Sequence, residues 1–240
     1  MINVENLSLS FDDKEFFNDI SFCFMENKVN IIAGPNGVGK TSILRILSGV
    51  LKPKGFELKL NGKKVFYLPQ RIEYPCNITL YEYLSSAFYE RGWKWFLDKK
   101  DKKKIDSVLD ILELKDKKEV SIDVLSSGEI QKANIALGLL SDAQILLLDE
   151  PTSNMDLVNQ IKVLNIIKKL TLEDITVVIV LHDINLSASF GDYFIGVRSD
   201  KSVMCAERNE FFTPENLQSI YNIKFKVVNN DEDFHVQIFT

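Results

Sequence analysis

Cysteine, tryptophan, histidine and proline are scarce in this sequence, at three, two, two and six of 240 residues. Cys23, Cys76 and Cys205 are odd in number and far apart. That spacing excludes a disulfide framework and a paired-cysteine zinc site, and predicts reduced thiols packed inside the protein. No charge of one sign dominates: 29 basic residues face 34 acidic ones, for a net charge of −5. A chain with a pI near 5.2 lacks the electropositive face that a nucleic-acid partner demands, so none is expected. Long apolar runs are also missing. The longest, residues 177–181, has five members, far short of the roughly 18 a membrane span needs. The opening residues 1–6 show neither the basic nor the apolar stretch of a secretion signal, so a soluble cytoplasmic protein is expected. What is present, 45% hydrophobic and 26% charged residues, suits a globular chain with a substantial core. At about 150 residues per domain, the length falls between one domain and two.

Residues 2–11, 20–25 and 29–33 read as strands, and Ile43, Leu44, Ile46 and Leu47 carry a helical pattern over 41–48 that Gly49 ends. Residues 56–60 and 65–68 flank Asn61-Gly62, which predicts a hairpin with a type I′ turn. From about 75 to 125 the character is helical. Thr79 and Glu82 have capping-box spacing, and Ile105, Val108, Leu109 and Leu112 make a second amphipathic face. Helices over 128–140 and 157–170 then alternate with apolar strands over 145–148 and 176–181, which predicts a sheet covered on both faces. A strand at 193–197, a helix from Pro214 and a hairpin pairing 224–228 with 234–239 complete the reading.

Gly34-Pro35-Asn36-Gly37-Val38-Gly39-Lys40-Thr41 matches the P-loop pattern, between a predicted strand and a predicted helix as the pattern requires. Its glycines let backbone N–H groups close around phosphate oxygens, and the helix start adds a positive dipole end. Lys40 is placed to bridge the β- and γ-phosphates of ATP, and the Thr41 hydroxyl to ligate Mg²⁺. The apolar strand 145–148 delivers Asp149, which can hold Mg²⁺ through water, and Glu150, which can orient the attacking water and act as its general base.

Further segments resemble one family, the ATP-binding cassette (ABC) ATPases. Leu125-Ser126-Ser127-Gly128-Glu129 is similar to that family's signature Leu-Ser-Gly-Gly-Gln and precedes the acidic strand, as it does there. The resemblance implies an α/β P-loop NTPase core with an N-terminal antiparallel β subdomain and an inserted α-helical subdomain. It would be one domain over 1–240, its core (1–72 and 128–240) interrupted at about 73–127. It places Phe11 as the adenine-stacking aromatic, where tyrosine is more common, and Ser42 with the P-loop. Tyr67-Leu68-Pro69-Gln70 resembles the Q-loop, whose Gln70 would touch Mg²⁺ and the water. Ser153-Asn154-Met155-Asp156 resembles the D-loop, and His182 the histidine that contacts the γ-phosphate. The family's signature faces ATP held by another subunit, which implies a homodimer closing on two ATPs. Ser127 stands where the family has its first glycine, and a turn needing positive φ would be strained there. Glu129 stands where glutamine is usual.

Residues 156–164, 182–188 and 212–221 are similar to the importer subgroup that handles iron–siderophores, haem and cobalamin. The implied partners are polytopic membrane permease subunits and, indirectly, a substrate-binding protein, with the chain peripheral on the inner face of the cell membrane. Tyr81, Tyr83, Phe88, Tyr89, Trp93 and Trp95 either line a groove for the membrane subunit or form the core of the helical insert. The lysine run at 99–104 lies in a segment, 73–125, with 10 basic and 11 acidic residues, so it reads as a solvated helix end. Two other functions compete with a transport motor: a soluble ABC ATPase with a non-membrane partner, and a non-hydrolytic nucleotide-binding regulatory module.

Overall fold

Three five-residue runs, Val29–Ala33, Ile145–Asp149 and Thr176–Val180, are buried at every position. Strands without an exposed face must be sandwiched, and the rest of the chain supplies both covers. The computed structural model describes residues 1–11, 14–53, 57–60, 62–74, 77–91, 97–153, 155–230 and 233–238. Its elements in chain order are β1 (Ile2–Phe11), β2 (Lys14–Phe24), β3 (Val29–Ala33), α1 (Lys40–Leu47), β4 (Glu57–Leu58), β5 (Val65–Leu68), α2 (Leu80–Ser85) and α3 (Lys99–Ile111). There follow α4 (Ser127–Leu140), β6 (Ile145–Asp149), α5 (Leu157–Leu170), β7 (Thr176–Val180), α6 (Ile184–Phe190), β8 (Tyr193–Val197) and β9 (Val203–Glu207). The chain closes with α7 (Arg208–Phe211), α8 (Pro214–Tyr221), β10 (Phe225–Asn230) and β11 (Asp233–Ile238).

Among the described residues the strands form a six-stranded sheet ordered β5-β6-β7-β3-β8-β9, a three-stranded sheet β2-β1-β4 and a two-stranded sheet β10-β11. The large sheet is parallel except for β9, which runs antiparallel to β8. Alternation sorts its side chains. Ile32, Ile145, Leu147, Val178 and Val180 join a core with β1, β2 and α1. Ile31, Leu146, Leu148, Val177 and Ile179 face the opposite way, into a core with α4, α5 and the helical region. Among the described residues no helix is long and apolar enough to cross a membrane.

The hairpin expected around Asn61-Gly62 does not form. β4 pairs antiparallel with β1 (Val4↔Leu58), whereas β5 pairs parallel with β6 (Val65↔Ile145), so the two runs belong to different sheets. Tertiary pairing overrides the local turn signal, although Gly62 does take the positive φ (75°) of a turn; Asn61 lies outside the described residues. The capping box at α2 is present: Glu82 N–H donates to Thr79 Oγ1 (3.1 Å) and Thr79 N–H to Glu82 Oε2 (2.7 Å). α3 begins six residues before Ile105 because Asp98 caps it, accepting from the N–H groups of Lys100 (2.7 Å) and Asp101 (2.9 Å). Tyr83 and Phe88 are buried, so both are core residues rather than lining for a groove. Tyr81 is half-buried under the Lys118 ammonium, 4.7 Å from its ring centre. Trp93, Trp95 and the Tyr89 side chain lie outside the described residues. Cys23 and Cys205 are half-buried free thiols rather than fully enclosed ones, and Cys76 lies outside the described residues.

Asn30 is the polar exception within β3, fully buried and fully engaged. Its Oδ1 accepts from Met25 N–H (2.7 Å), and its Nδ2 donates to the carbonyls of Met25 (2.9 Å), Lys28 (3.1 Å) and Val177 (3.1 Å). It thereby fixes the turn that feeds β3 into the sheet beside β7. Asn30→Leu leaves those backbone groups unpaired and is expected to destabilise the protein by about 3 kcal/mol. A lower urea midpoint with an unchanged m-value is the expected result; an unchanged midpoint contradicts it.

Candidate nucleotide site

The loop between β3 and α1 comes so close to its neighbours that two positions exclude any side chain. At Gly34 (φ +147°) a Cβ would lie 2.3 Å from the Val197 carbonyl oxygen, and at Gly39 (φ +110°) 2.5 Å from the Phe17 ring. Gly39 caps α1 in the left-handed region with no side-chain hydrogen bond, so the first-turn N–H groups of α1 carry no side-chain cap there. A helix start of that kind favours an anion. Lys40 is buried and folds back over the loop, its Nζ donating to the carbonyls of Gly34 (2.9 Å) and Pro35 (2.8 Å). Burial pulls the Lys40 pKa below its ordinary value, while the charges of Glu150 and Asp149 oppose that shift.

β6 delivers the acidic pair. Asp149 is buried and accepts from Thr41 Oγ1 (3.1 Å) and the Tyr67 hydroxyl (3.4 Å), and burial raises its pKa. Glu150 follows in the left-handed region (φ 50°), a strained conformation that turns its side chain out of the strand register. Gln70 Nε2 donates to Glu150 Oε2 (2.5 Å), and His182 Nε2 lies 2.5 Å from Oε1. Both carboxylate oxygens are thus engaged. Asn36, Gly37, Gly39, Lys40, Thr41, Ser42, Gln70, Glu150 and His182 line one cleft of about 530 Å³ together with Phe16, a volume suited to a nucleotide-sized ligand. The hydroxyl of Thr41 and the buried carboxylate of Asp149 are hard oxygen donors, and they fit Mg²⁺.

The signature segment lies elsewhere. Ser126 caps α4 through a capping box: Ser126 N–H donates to Glu129 Oε2 (2.8 Å) and Glu129 N–H to Ser126 Oγ (3.4 Å). Lys117 Nζ sits 3.1 Å from Glu129 Oε1. The Ser126 N–H, the Ser126 hydroxyl and Lys117 hold the Glu129 carboxyl below its ordinary pKa. The strain expected at Ser127 is absent. Ser127 is the first residue of α4 and is not among the positive-φ positions, so a serine fits there without penalty. Asp156 caps α5 by accepting from Asn159 N–H (3.0 Å) and Asn159 Nδ2 (2.6 Å), and the Asn159 side chain packs on Gly128. The structure thereby joins the D-loop aspartate to the signature, but places neither in the cleft lined by the P-loop. Phe11 ends β1 opposite Lys14, and its side chain lies outside the described residues.

Sequence reasoning missed four contributors: Phe16, Tyr67 as a partner of Asp149, Lys201 and Tyr221. Lys201 Nζ donates to the Gly37 carbonyl (3.1 Å) from above the Phe16 ring, 4.2 Å from its centre. Burial pushes the Tyr221 hydroxyl pKa up, and the Gly34 backbone beside it opposes that shift. Phe16 could have been found from β-alternation with buried Phe17; Lys201 and Tyr221 come from distant segments without a local signal.

A glycine-wrapped lysine loop beside a strand-end acidic pair defines a P-loop nucleoside triphosphatase. The sequence matches the ABC transporter family over residues 17–153, and the chain belongs to that family. It is 28% identical over 240 residues to the probable siderophore transport system ATP-binding protein YusV of Bacillus subtilis, covering 94% of this chain and 87% of that one. To the uncharacterised ABC transporter ATP-binding protein MJ0089 of Methanocaldococcus jannaschii it is 32% identical over 242 residues, covering 95% and 94%. Its fold superposes with a TM-score of 0.86 on a chain of a metal-chelate type ABC transporter solved in an inward-facing conformation, at 24% identity and with 99% and 96% of the two chains covered.

Because folding raises the Asp149 pKa, the stabilising contribution belongs to the protonated form. It is present below the unfolded carboxyl pKa and lost as pH rises through the folded one. At neutral pH the ionised side chain therefore opposes folding. Asp149→Asn is expected to raise Tm by roughly 2–4 °C at pH 7.5 in the absence of nucleotide. The gap should shrink towards pH 4, and Mg²⁺ should no longer add to the thermal stabilisation by ATP. A lower Tm at pH 7.5 would contradict this account.

Proposed function

We propose that this chain hydrolyses ATP with Mg²⁺ as one of a pair of identical subunits, and thereby powers import of an iron-chelate cargo through separate membrane subunits. The observation that carries the reading is Glu150 held between Gln70 and His182 above the P-loop, with the signature turn outside that cleft. The domain division fits it: a core over 1–72 and 128–240, interrupted by a helical insert at about 73–127.

The backbone of residues 34–39 and the Lys40 ammonium hold the β- and γ-phosphates, with Ser42 beside them and Phe11 on the adenine. Thr41, Asp149 and Gln70 would hold Mg²⁺, which when bound offsets the charge of the triphosphate oxygens. Glu150 orients the attacking water and takes its proton. His182 donates to the γ-phosphate, and in doing so releases Glu150 Oε1 for the water. Ser126 and Gly128 of the second copy close the site from the other side, with Ser127, Glu129 and Asp156 at the same interface. Fixed donors aimed at the transferring phosphoryl group supply most of the rate enhancement. The Lys117–Glu129 pair answers the departure from glutamine: the acid at the signature has its own cation, so the approaching phosphates meet a neutralised pair.

The cargo class rests on the relatives, since YusV is named for siderophore transport and the structural neighbour for metal chelates. Membership of a transporter family supports separate membrane partners and a position on the inner face of the cell membrane.

Glu150→Gln keeps the shape but removes the base and one of its two acceptor oxygens. Turnover should fall by at least about 10²-fold, and Mg-ATP should convert the monomer to a stable dimer on size exclusion. A monomeric variant that hydrolyses ATP normally overturns the assignment. In its native host the chain should sediment with membranes and co-purify with a polytopic protein, and its deletion should abolish uptake of a radioiron chelate. Recovery in the soluble fraction with uptake intact would reject the transport reading.

A further inference from the structure

His182 is half-exposed, with 51% of its side chain open to solvent, so little packing of its own holds the ring. Its position is set by the backbone on either side. On one side β7 ends and Leu181 is buried. On the other, Asp183 caps α6 by accepting from the N–H groups of Asn185 (2.8 Å) and Leu186 (2.9 Å), and Ser187 Oγ donates back to the Asp183 carbonyl (2.7 Å).

A second restraint comes from far along the chain. Asn185 Nδ2 donates to the Val236 carbonyl (3.3 Å), and the Val236 N–H donates to Asn185 Oδ1 (2.8 Å). The side-chain amide thus behaves as a strand neighbour for one residue of β11. That residue is itself anchored. Phe234 and Val236 are buried, and the Phe234 ring centre lies 5.7 Å from that of Phe212, which packs at 4.9 Å on Phe194 of β8. The first turn of α6 is therefore clamped to a hairpin rooted in the same central sheet that carries the P-loop.

We infer that Asn185 is a positioning residue for His182, holding the α6 start against β11 so that the imidazole stays over Glu150. The inference rests on the role proposed for His182 above. An error of about 1 Å at a reacting group can lower a rate on the order of 10²-fold, whereas the P-loop contacts that bind ATP lie on β3 and α1 and do not pass through Asn185.

The test uses the full chain and four variants: Asn185→Ala, Asn185→Asp, His182→Ala and the double variant Asn185→Ala/His182→Ala. Turnover is followed for hours with radiolabelled Mg-ATP so that residual rates are resolved. Asn185→Ala should lower kcat about tenfold and leave KM for ATP within twofold. Asn185→Asp keeps an acceptor for the Val236 N–H and should recover part of the loss. In the His182→Ala background, Asn185→Ala should have no further effect. An equal loss in both backgrounds, or an unchanged kcat in Asn185→Ala, overturns the inference while the role of His182 stands. Wild-type turnover in His182→Ala instead removes that role, and the inference with it. Amide hydrogen exchange gives a readout that survives misfolding of the Asn185 variants. In Glu150→Gln, Mg-ATP should slow exchange over residues 234–238 severalfold, and this response should vanish in Glu150→Gln/His182→Ala. Exchange there that ignores nucleotide would mark Asn185 as a purely structural anchor and overturn the inference.

Discussion

The site depends on how β6 ends. A strand buried at every position runs Asp149 into a low-dielectric corner and then turns through a left-handed Glu150. Each feature is unfavourable in isolation: a desolvated carboxylate resists ionisation, and a non-glycine residue at positive φ is strained. The sheet tolerates both because its two cores bury apolar side chains from alternate positions of β3, β6 and β7. The result is one acid held inward by Thr41 and Tyr67 and its neighbour held outward by Gln70 and His182. Two adjacent carboxylates thereby acquire different surroundings, the arrangement needed to separate metal binding from base catalysis.

A P-loop so closely built leaves little to adjust within one chain. Gly34 and Gly39 are pressed against Val197 and Phe17, and Lys40 is tied to the loop's own carbonyls. The signature is equally well formed but remote, its capping box complete and its acid paired with Lys117. The signature residues do not line the cleft that the P-loop lines. In the proposed reading a second copy related by a two-fold axis would supply each with its complement.

Much of this was legible in the sequence because it rests on local chemistry. The P-loop needs glycine where a Cβ would collide, the capping boxes need their partners three residues apart, and fully covered strands need unbroken apolar runs. Helix α5 and strands β3 and β8 fall at the expected residues for that reason. The failures have the opposite character. Asn61-Gly62 suggested a hairpin, yet β4 and β5 found partners in different sheets, because long-range pairing outweighed a turn preference worth little by itself. Ser127 looked strained only on the assumption of a glycine-like turn; within α4 it is an ordinary first-turn residue. Lys201 and Tyr221 reach the P-loop from β9's turn and from α8, and no pattern of nearby residues announces a contact across 164 positions.

The helical region is likewise bound to the chemistry through a buried polar chain. Asn134 on α4, 1% exposed, accepts from the Tyr83 hydroxyl (2.8 Å) and donates through Nδ2 to the Tyr74 hydroxyl (2.8 Å). Burial drives the Tyr83 pKa upward, so that hydroxyl keeps its proton and stays a donor. Tyr74 belongs to the segment leaving Gln70, Tyr83 to α2, and Asn134 to the helix that the signature opens. Breaking either bond would strand a buried polar group, at a cost of about 1–3 kcal/mol. The three segments therefore move together more readily than they separate. These bonds join the segment that leaves Gln70 to the helix that the signature opens, so the cleft and the signature share one buried polar connection.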